Sequence, residues 1–312
     1  MHQEQKHVAS DIMKILLTLN KTYRGLPDSG HWYVYEPLKQ LGHDVYWFDT
    51  VDPDEKDYNK VIEDFKPDLI FCCLTNDRFI APYEPWPQIV EETNSGRTKT
   101  FNWFCDDTWR FDTFSSRICH FFNVCSTPDP KYIRKYKAVG YDNAILGLWH
   151  ANSDFYPKVE FKNKDIDISF IGAPTPSRTE IFENIDVPVE NIFGVSMEEL
   201  FSAHSRSKIG INFSTNDNDQ FQQTEIKQRI FEITAGGGLL LTQHHDGIEN
   251  FFEIDKEIFT FRDTEELSEK SKVLLKNPQL VESTAAAGHK RFLAEHDSKV
   301  RLANLLSQIR RT

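Results

Sequence analysis

The sequence has no long apolar run and no cysteine framework. No stretch of its 312 residues approaches the ~18 consecutive apolar residues of a membrane-spanning helix. Residues 1–12 are polar and lack the apolar core of a secretory signal, so we expect them to form a polar extension. The five cysteines are an odd set without zinc-type spacing, as is typical of a reducing cytosol. These absences predict a cytoplasmic protein without a membrane span.

Positive charge is also scarce, because the formal net charge is −12. General nucleic-acid binding normally needs a basic face that neutralises phosphates, so the composition argues against it. Local basic clusters such as Lys131–Lys137 and Arg310–Arg311 are compatible with an acidic ligand. The dinucleotide-binding glycine spacing is missing after the first predicted strand, so we expect no bound NAD and no other cofactor.

Apolar strand-like segments alternate with helical ones in two successive series. The first series has predicted strands at 14–19, 45–48, 69–74, 100–104, 121–125 and 144–148, and the second has them at 166–171, 209–213 and 239–242. Such alternation predicts an α/β fold of two Rossmann-like, doubly wound parallel-sheet domains that face a cleft. We place the domains at residues 13–150 and 165–312, the second ending in an amphipathic helix, with a polar linker at 151–164.

Residues 225–242 read as a charged helix, a glycine stop and a buried strand. On a helix, Glu225, Arg229 and Glu232 share one face at spacings of four and three. Together with Lys227, they could bind the phosphates and the ribose diol of a nucleotide. The alternative is a set of solvated ion pairs, each contributing only about 0.2–0.5 kcal/mol.

A second candidate segment, SFIGAPTPSR at 169–178, follows the first strand of the second domain. Gly172 would let the backbone approach a ligand closely, and Arg178 can hold phosphate oxygens in a bidentate fork. The alternative is a tight turn with an exposed arginine. We favour the phosphate interpretation because ligands bind beyond the carboxyl ends of parallel strands.

In the first domain, the sequence CDDTW at 105–109 places two carboxylates directly after a strand. Asp106 and Asp107 could act as a general base, cap a helix or bind acceptor hydroxyls. Adjacent side chains point in different directions, so only one should face the cleft, and Asp106 is the preferred candidate. The loop at 25–31 could approach the phosphates of a nucleotide through Gly25 and His31, although a lone loop histidine is more often solvated.

Asp-x-Asp triplets occur at 52–54, 165–167 and 217–219, and such closely spaced carboxylates can hold a divalent cation on a diphosphate. Among 48 acidic residues, chance matches are expected, and none of the triplets stands in a strand-end context that suits a metal. The sequence therefore predicts no metal site.

Several segments, in order and spacing, resemble the CgeB-like glycosyltransferases, relatives of the group 1 (family 4-like) enzymes. The matching pieces are WFCDDTWRF at 103–111, LGLWHANSDFYP at 146–157, SKIGINFS at 207–214, IKQRIFEITAGGGLLLT at 226–242, FRDTEEL at 261–267 and GHKRFLAEHDSKVRLANLL at 288–306. The resemblance implies GT-B architecture, with the donor mainly on the second domain and the acceptor on the first. It also implies that Glu232 is the ribose-binding second glutamate of the family's pair. Glu225 precedes Glu232 by seven residues, one fewer than the usual separation between the two glutamates. The loop at Asp106 lacks the histidine of the wider superfamily.

The sequence thus predicts a glycosyltransferase that moves a sugar from a nucleotide-diphosphate sugar to an acceptor hydroxyl. The resemblance suggests retention of the anomeric configuration, and the acceptor remains a saccharide, a protein, a metabolite or a modified nucleobase. Two alternatives stay open: a nucleotide-sugar epimerase on the same fold, and a non-catalytic glycosyltransferase-like binding protein.

Overall fold

Two parallel sheets contain most of the strands in the computed structural model, which describes residues 12–215 and 223–312. The first sheet and a short hairpin comprise β1 (Lys14–Leu19), β2 (Thr22–Tyr23), β3 (Leu26–Pro27), β4 (Asp44–Asp49), β5 (Leu69–Cys72), β6 (Lys99–Trp103), β7 (Val124–Thr127) and β8 (Ala144–Leu146). The second sheet comprises β9 (Ile166–Ile171), β10 (Glu190–Ile192), β11 (Ser207–Asn212), β12 (Leu239–Gln243) and β13 (Phe259–Phe261).

The α-helices of the described residues alternate with these strands. They are α1 (Glu36–Gln40), α2 (Tyr58–Phe65), α3 (Trp86–Ser95), α4 (Asp107–Arg110), α5 (Ser116–Ile118), α6 (Pro130–Ala138), α7 (Pro176–Asn184), α8 (Met197–Arg206), α9 (Gln228–Ala235), α10 (Thr264–Leu275), α11 (Pro278–Glu295) and α12 (Ser298–Arg311). A π-helical turn at His31–Tyr35 precedes α1, and another at Phe111–Ser115 joins α4 to α5. In this part of the chain, no helix combines the length and apolarity needed to cross a bilayer.

Both sheets have the same strand order. The first is β4-β1-β5-β6-β7-β8 and the second is β10-β9-β11-β12-β13, with every neighbouring pair parallel. In each, the first strand lies between the next two sheet strands of the chain, so the winding reverses beside it. These topological switch points, between β1 and β5 and between β9 and β11, are where open α/β sheets bind ligands. The predicted pair of parallel-sheet domains is therefore confirmed.

Burial explains why these segments form central strands. All four residues of β5 are buried, as are five of the six residues of β9. Such near-continuous apolar runs suit parallel strands whose two faces are both covered. Aromatic side chains complete the cores, with Phe71 against Phe101 in the first sheet and Phe170 against Phe213 in the second.

The chain divides into two units at a different place from the predicted boundary. One unit contains the residues up to Gly147 together with Leu302–Thr312, and the other contains Leu148–Arg301. The end of α12 belongs with the first unit because Lys99 Nζ donates to the Ile309 carbonyl (3.0 Å) and Leu305 and Ile309 are buried. An amphipathic helix must bury its apolar face, but its sequence does not say against which sheet.

The predicted linker at 151–164 is a packed part of the second unit. Tyr156 lies against Phe201, with ring centroids 4.9 Å apart. The ammonium group of Lys164, which is 4% exposed, donates to the carbonyls of Ser205 (2.5 Å) and Gly236 (2.9 Å). These carbonyls lie at the C-terminal ends of α8 and α9, where the last carbonyl groups of a helix lack N–H partners within the helix and a cation can donate to them. Burial lowers the pKa of Lys164 to about 8.

Candidate functional site

Arg229 lies at the switch point of the second sheet. Its Nε donates to the Ile171 carbonyl at the end of β9 (2.6 Å), and its Nη1 donates to Asn212 Oδ1 at the end of β11 (3.3 Å). Asn212 is in turn held by its Nδ2, which donates to Thr242 Oγ1 of β12 (2.9 Å). The guanidinium is therefore fixed at the strand ends where a parallel sheet binds its ligands.

Arg178 brings a second positive charge to the same place. The guanidinium carbons of Arg229 and Arg178 lie 4.6 and 5.4 Å from the ring centroid of the buried Phe170. Burial lowers the pKa of Arg229 to about 10; Glu232 opposes this effect and the charge of Arg178 adds to it. Two neighbouring guanidinium groups repel each other, and a bound anion would remove that repulsion.

Gly172 is required by the same arrangement. A Cβ atom at this position would lie 2.4 Å from Arg229 Nη2 and 3.0 Å from the Phe170 ring. Its amide donates to the Ile192 carbonyl (2.9 Å), which fixes the turn after β9. The structure thus brings together Gly172, Arg178 and Arg229, three of the predicted donor-binding residues.

The start of α9 differs from the prediction. The helix begins at Gln228, so Glu225 precedes it and does not share its face with Arg229 and Glu232. The reason is that the preceding segment pairs with the residues just after β11, where the Glu225 amide donates to the Ser214 carbonyl (2.9 Å). Lys227 occupies the N-cap position in an extended conformation and forms an ion pair with Glu225. Its charge is therefore already partly neutralised by Glu225.

Glu232 follows Arg229 by three residues on α9 and lies inside the second unit. Its side chain is 11% exposed, and its Oε2 lies 3.7 Å from Nε2 of the buried His204 on α8. Burial lowers the pKa of His204, and Glu232 opposes that shift. His204 is a contact of the predicted ribose-binding carboxylate that the sequence did not indicate, because the two residues lie far apart in the chain.

In the first unit, Asp106 lines a pocket at the ends of β5 and β6. This pocket is small, about 30 Å³, and opens to solvent; Cys73, Cys105, Asp106 and Arg110 contribute to its wall. Arg110 Nη2 donates to the Thr75 carbonyl (2.5 Å), which ties the loops after the two strands together. Asp106 occupies the N-cap position of α4, but its side chain makes no capping hydrogen bond. Capping therefore does not account for this carboxylate.

Asp107 turns into the core instead. It is 1% exposed, and the hydroxyl of the buried Tyr136 donates to both of its carboxylate oxygens (3.0 and 3.2 Å). Burial raises the pKa of Asp107 to about 6. The side chain lies beneath the pocket wall, in a structural position.

The raised pKa of Asp107 makes stability depend on pH. Because the native state binds this proton more tightly than the unfolded chain, native stability attributable to Asp107 grows as pH falls from about 6 to 4. We expect the difference in unfolding free energy between wild type and Asp107→Asn to shift by about 2.5 kcal/mol in favour of wild type between pH 7 and pH 4, because the carboxyl of the unfolded chain is itself partly protonated at pH 4. Urea titrations at the two pH values measure this shift. The exposed Asp112→Asn variant should run parallel to wild type, and a parallel Asp107→Asn curve would contradict the assignment.

Gly25 and His31 have local explanations within the first unit. Gly25 follows Arg24 in the turn of the β2–β3 hairpin, and both have positive φ angles (79° and 51°), which this two-residue turn requires. The ring of His31 stacks over Trp47 at 6.1 Å, and its Nε2 lies 3.9 Å from Glu36. Their predicted contact with the donor stays a prediction.

The Asp-x-Asp triplets that the structure describes have other partners. The amide of Asp54 donates to Asp52 in a local turn, while Asp165 and Asp167 pair with Arg206 and Lys208 (both 2.6 Å). The triplet at 217–219 lies outside the described residues. Within 12–215 and 223–312, no group of three or more metal-binding side chains comes together.

Comparison with protein families identifies the region that contains the two arginines. Residues 157–307 match the family model described as "Glycosyl transferase-like". This match covers most of the second unit, including Gly172, Arg178, Arg229 and Glu232. A comparison with curated proteins found no match.

Solved structures share the fold across nearly the whole chain. HepE of Anabaena in complex with UDP and glucose is similar with a TM-score of 0.64 and 10% identity, covering 95% of this chain and 99% of that one. Sucrose-phosphate synthase from Thermosynechococcus elongatus has a TM-score of 0.63 and 12% identity over 95% and 98% of the two chains. An alpha-glucosyltransferase in complex with UDP and a 13-mer DNA containing a HMU base has a TM-score of 0.64 and 11% identity over 96% and 99%. The fold is therefore GT-B.

Proposed function

We propose that this protein is a glycosyltransferase that moves a sugar from a nucleotide-diphosphate sugar to an acceptor hydroxyl. The observation that carries the proposal is the pair of guanidinium groups, Arg178 and Arg229, at the switch point beside Gly172. Planar guanidinium groups bind phosphate oxygens in bidentate fashion, and Arg229 stands in the first turn of α9, where the helix dipole also favours an anion.

The donor diphosphate would bind at this switch point. As the bond between the anomeric carbon and the diphosphate oxygen breaks, negative charge grows on the leaving group, and the two arginines stabilise it. Glu232 would accept hydrogen bonds from the ribose hydroxyls. Similar structures contain UDP, so uridine nucleotides are the first donors to test.

The acceptor hydroxyl would bind in the first unit, in the pocket lined by Asp106. This carboxylate orients the hydroxyl and takes up its proton as the oxygen bonds to the anomeric carbon. We further propose that the anomeric configuration is retained, which rests on the resemblance to the family 4-like enzymes and requires the acceptor oxygen to bond on the same face of the sugar that the diphosphate leaves.

Calorimetry with UDP, followed by incubation with UDP-sugars, tests the function. We expect UDP to bind, and the sugar to appear on an acceptor when saccharides, proteins, metabolites and nucleic acids are screened by mass spectrometry. An altered sugar on the nucleotide, formed with donor alone, would instead indicate an epimerase. Absence of binding by any nucleoside diphosphate would favour a protein without this activity.

Glu232→Gln tests the ribose contact. An amide is a weaker hydrogen-bond acceptor than a carboxylate, so we expect the dissociation constant for UDP to rise about tenfold. The dissociation constant for the 2′,3′-dideoxy nucleotide should not change, because that ligand lacks the hydroxyls. The exposed Glu183→Gln on α7 serves as the matched control. Equal losses for both ligands would argue against a ribose contact.

We also propose that transfer needs no divalent cation, since Arg178, Arg229 and the start of α9 supply positive charge for the diphosphate. Turnover should be unchanged in excess EDTA after removal of contaminating metal. Loss of turnover in EDTA with rescue by manganese or magnesium would overturn this proposal.

A further inference from the structure

Two cysteine thiols meet in the wall of the Asp106 pocket. Cys73 follows β5 and Cys105 follows β6, and their Sγ atoms lie 3.5 Å apart. Cys72 and Asn102 of these strands are directly paired, so the sheet brings the two segments that carry the thiols side by side. Both residues are partly exposed, whereas the other cysteines, Cys72, Cys119 and Cys125, are buried.

We propose that Cys73 and Cys105 form a thiol–disulfide site, a covalent modification site that reacts with small-molecule disulfides and closes into an intramolecular bridge. A disulfide requires an S–S distance of about 2 Å, so the two sulfur atoms must approach by only about 1.5 Å. The short separation gives the second thiol a high effective concentration for attack, which favours the bridge over two separate mixed disulfides.

The reaction is a balanced two-electron exchange. One thiolate attacks a sulfur of the small disulfide, releases one small thiol and forms a mixed disulfide on the protein. The second thiolate then attacks the protein sulfur of that mixed disulfide and releases the second small thiol. The two protons lost by the cysteines end on the released thiols, the protein is oxidised and the small disulfide is reduced.

A bridge here would act on the pocket, because Cys105 immediately precedes Asp106. Pulling the two sulfur atoms together moves the turn that carries the Asp106 carboxylate and ties it to the end of β5. Resting on the proposed function, we expect the bridge to impair acceptor activation while leaving nucleotide binding, which uses the other unit, unchanged.

The primary test does not depend on activity. Folded wild-type protein is incubated with oxidised glutathione, the remaining thiols are alkylated after denaturation, and the peptides are sequenced without reduction. Before alkylation, we expect the intact mass to be lower than that of untreated protein by two hydrogen atoms. In the peptide map, we expect a cross-linked peptide that joins Cys73 to Cys105. The three buried cysteines should all be alkylated. Glutathione retained on one cysteine without a bridge, or a bridge to another cysteine, would overturn the proposal.

Two single variants and an activity readout complete the test. Cys73→Ser and Cys105→Ser should lose the mass change, and each is compared with its own untreated sample. Wild-type turnover should fall about 10²-fold on oxidation and return with dithiothreitol, while the dissociation constant for UDP stays constant. If oxidised glutathione inactivated both serine variants as strongly as wild type, the bridge would not be the cause of the lost turnover. If untreated protein shows no transfer, the proposed function fails, while the peptide map still decides whether the bridge forms.

Discussion

Replacing Asp106 by asparagine is expected to lower turnover by about 10²–10⁴-fold, the usual contribution of a positioned general base. The amide keeps the shape of the side chain but cannot take up the acceptor proton. Asp106 makes no capping hydrogen bond to α4, so this variant should not lose the ~1 kcal/mol of stability that a capping role would imply. Initial rates at saturating donor, together with a thermal melt of the same sample, measure both quantities.

The dissociation constant for the donor nucleotide should stay at the wild-type value in Asp106→Asn. Asp112→Asn, an exposed carboxylate in the following π-helical turn, is the matched control and should retain wild-type turnover. A stable Asp106→Asn protein with near wild-type turnover would remove this residue from the mechanism.

Replacing Arg229 by alanine is expected to raise the dissociation constant for UDP by about 10- to 100-fold. A hydrogen bond to a charged group contributes about 1.5–3 kcal/mol, and the pair with Arg178 would lose its better-anchored member. The dissociation constant for uridine, which has no phosphate, should change far less. Titration calorimetry with both ligands gives the two ratios.

Arg206→Ala provides the control for Arg229. Arg206 belongs to the same unit but forms an ion pair with Asp165 at the opposite end of β9, so its loss should leave UDP affinity unchanged. Gly172→Ala offers an independent route, because its methyl group would displace the Arg229 guanidinium without removing it. Equal losses of affinity for UDP and uridine in Arg229→Ala would indicate general damage to the unit rather than a diphosphate contact.

The central strands could be predicted from the sequence because their residues are apolar on both faces. β1 and β9 begin and end at the predicted residues. The edge strands of the second sheet gave no such signal: β10 has two exposed residues and β13 has only three residues in all.

The candidate site was only partly visible in the sequence. Gly172 and Arg178 could be proposed because glycine and arginine directly after a strand favour a phosphate site, and Arg229 because of its place in the charged helical pattern; their binding of a phosphate stays a prediction. The Glu225–Lys227 ion pair could not be predicted, because pairing with the residues just after β11 keeps this segment extended where its spacing suggested a helix. Asp106 and Asp107 have the same chemistry, and only the packing of Tyr136 shows which one is buried.

The sequence by itself therefore determined the alternation of strands and helices, the two parallel sheets and the residue types that can bind a nucleotide diphosphate, since these depend on local burial and chemistry. The tertiary structure alone decided which distant groups meet: His204 with Glu232, Cys73 with Cys105, and the end of α12 with the first unit. Periodicity shows that a face must be buried, but it carries no information about the partner. That partner is fixed only when the strand order brings separate segments to the same edge of a sheet.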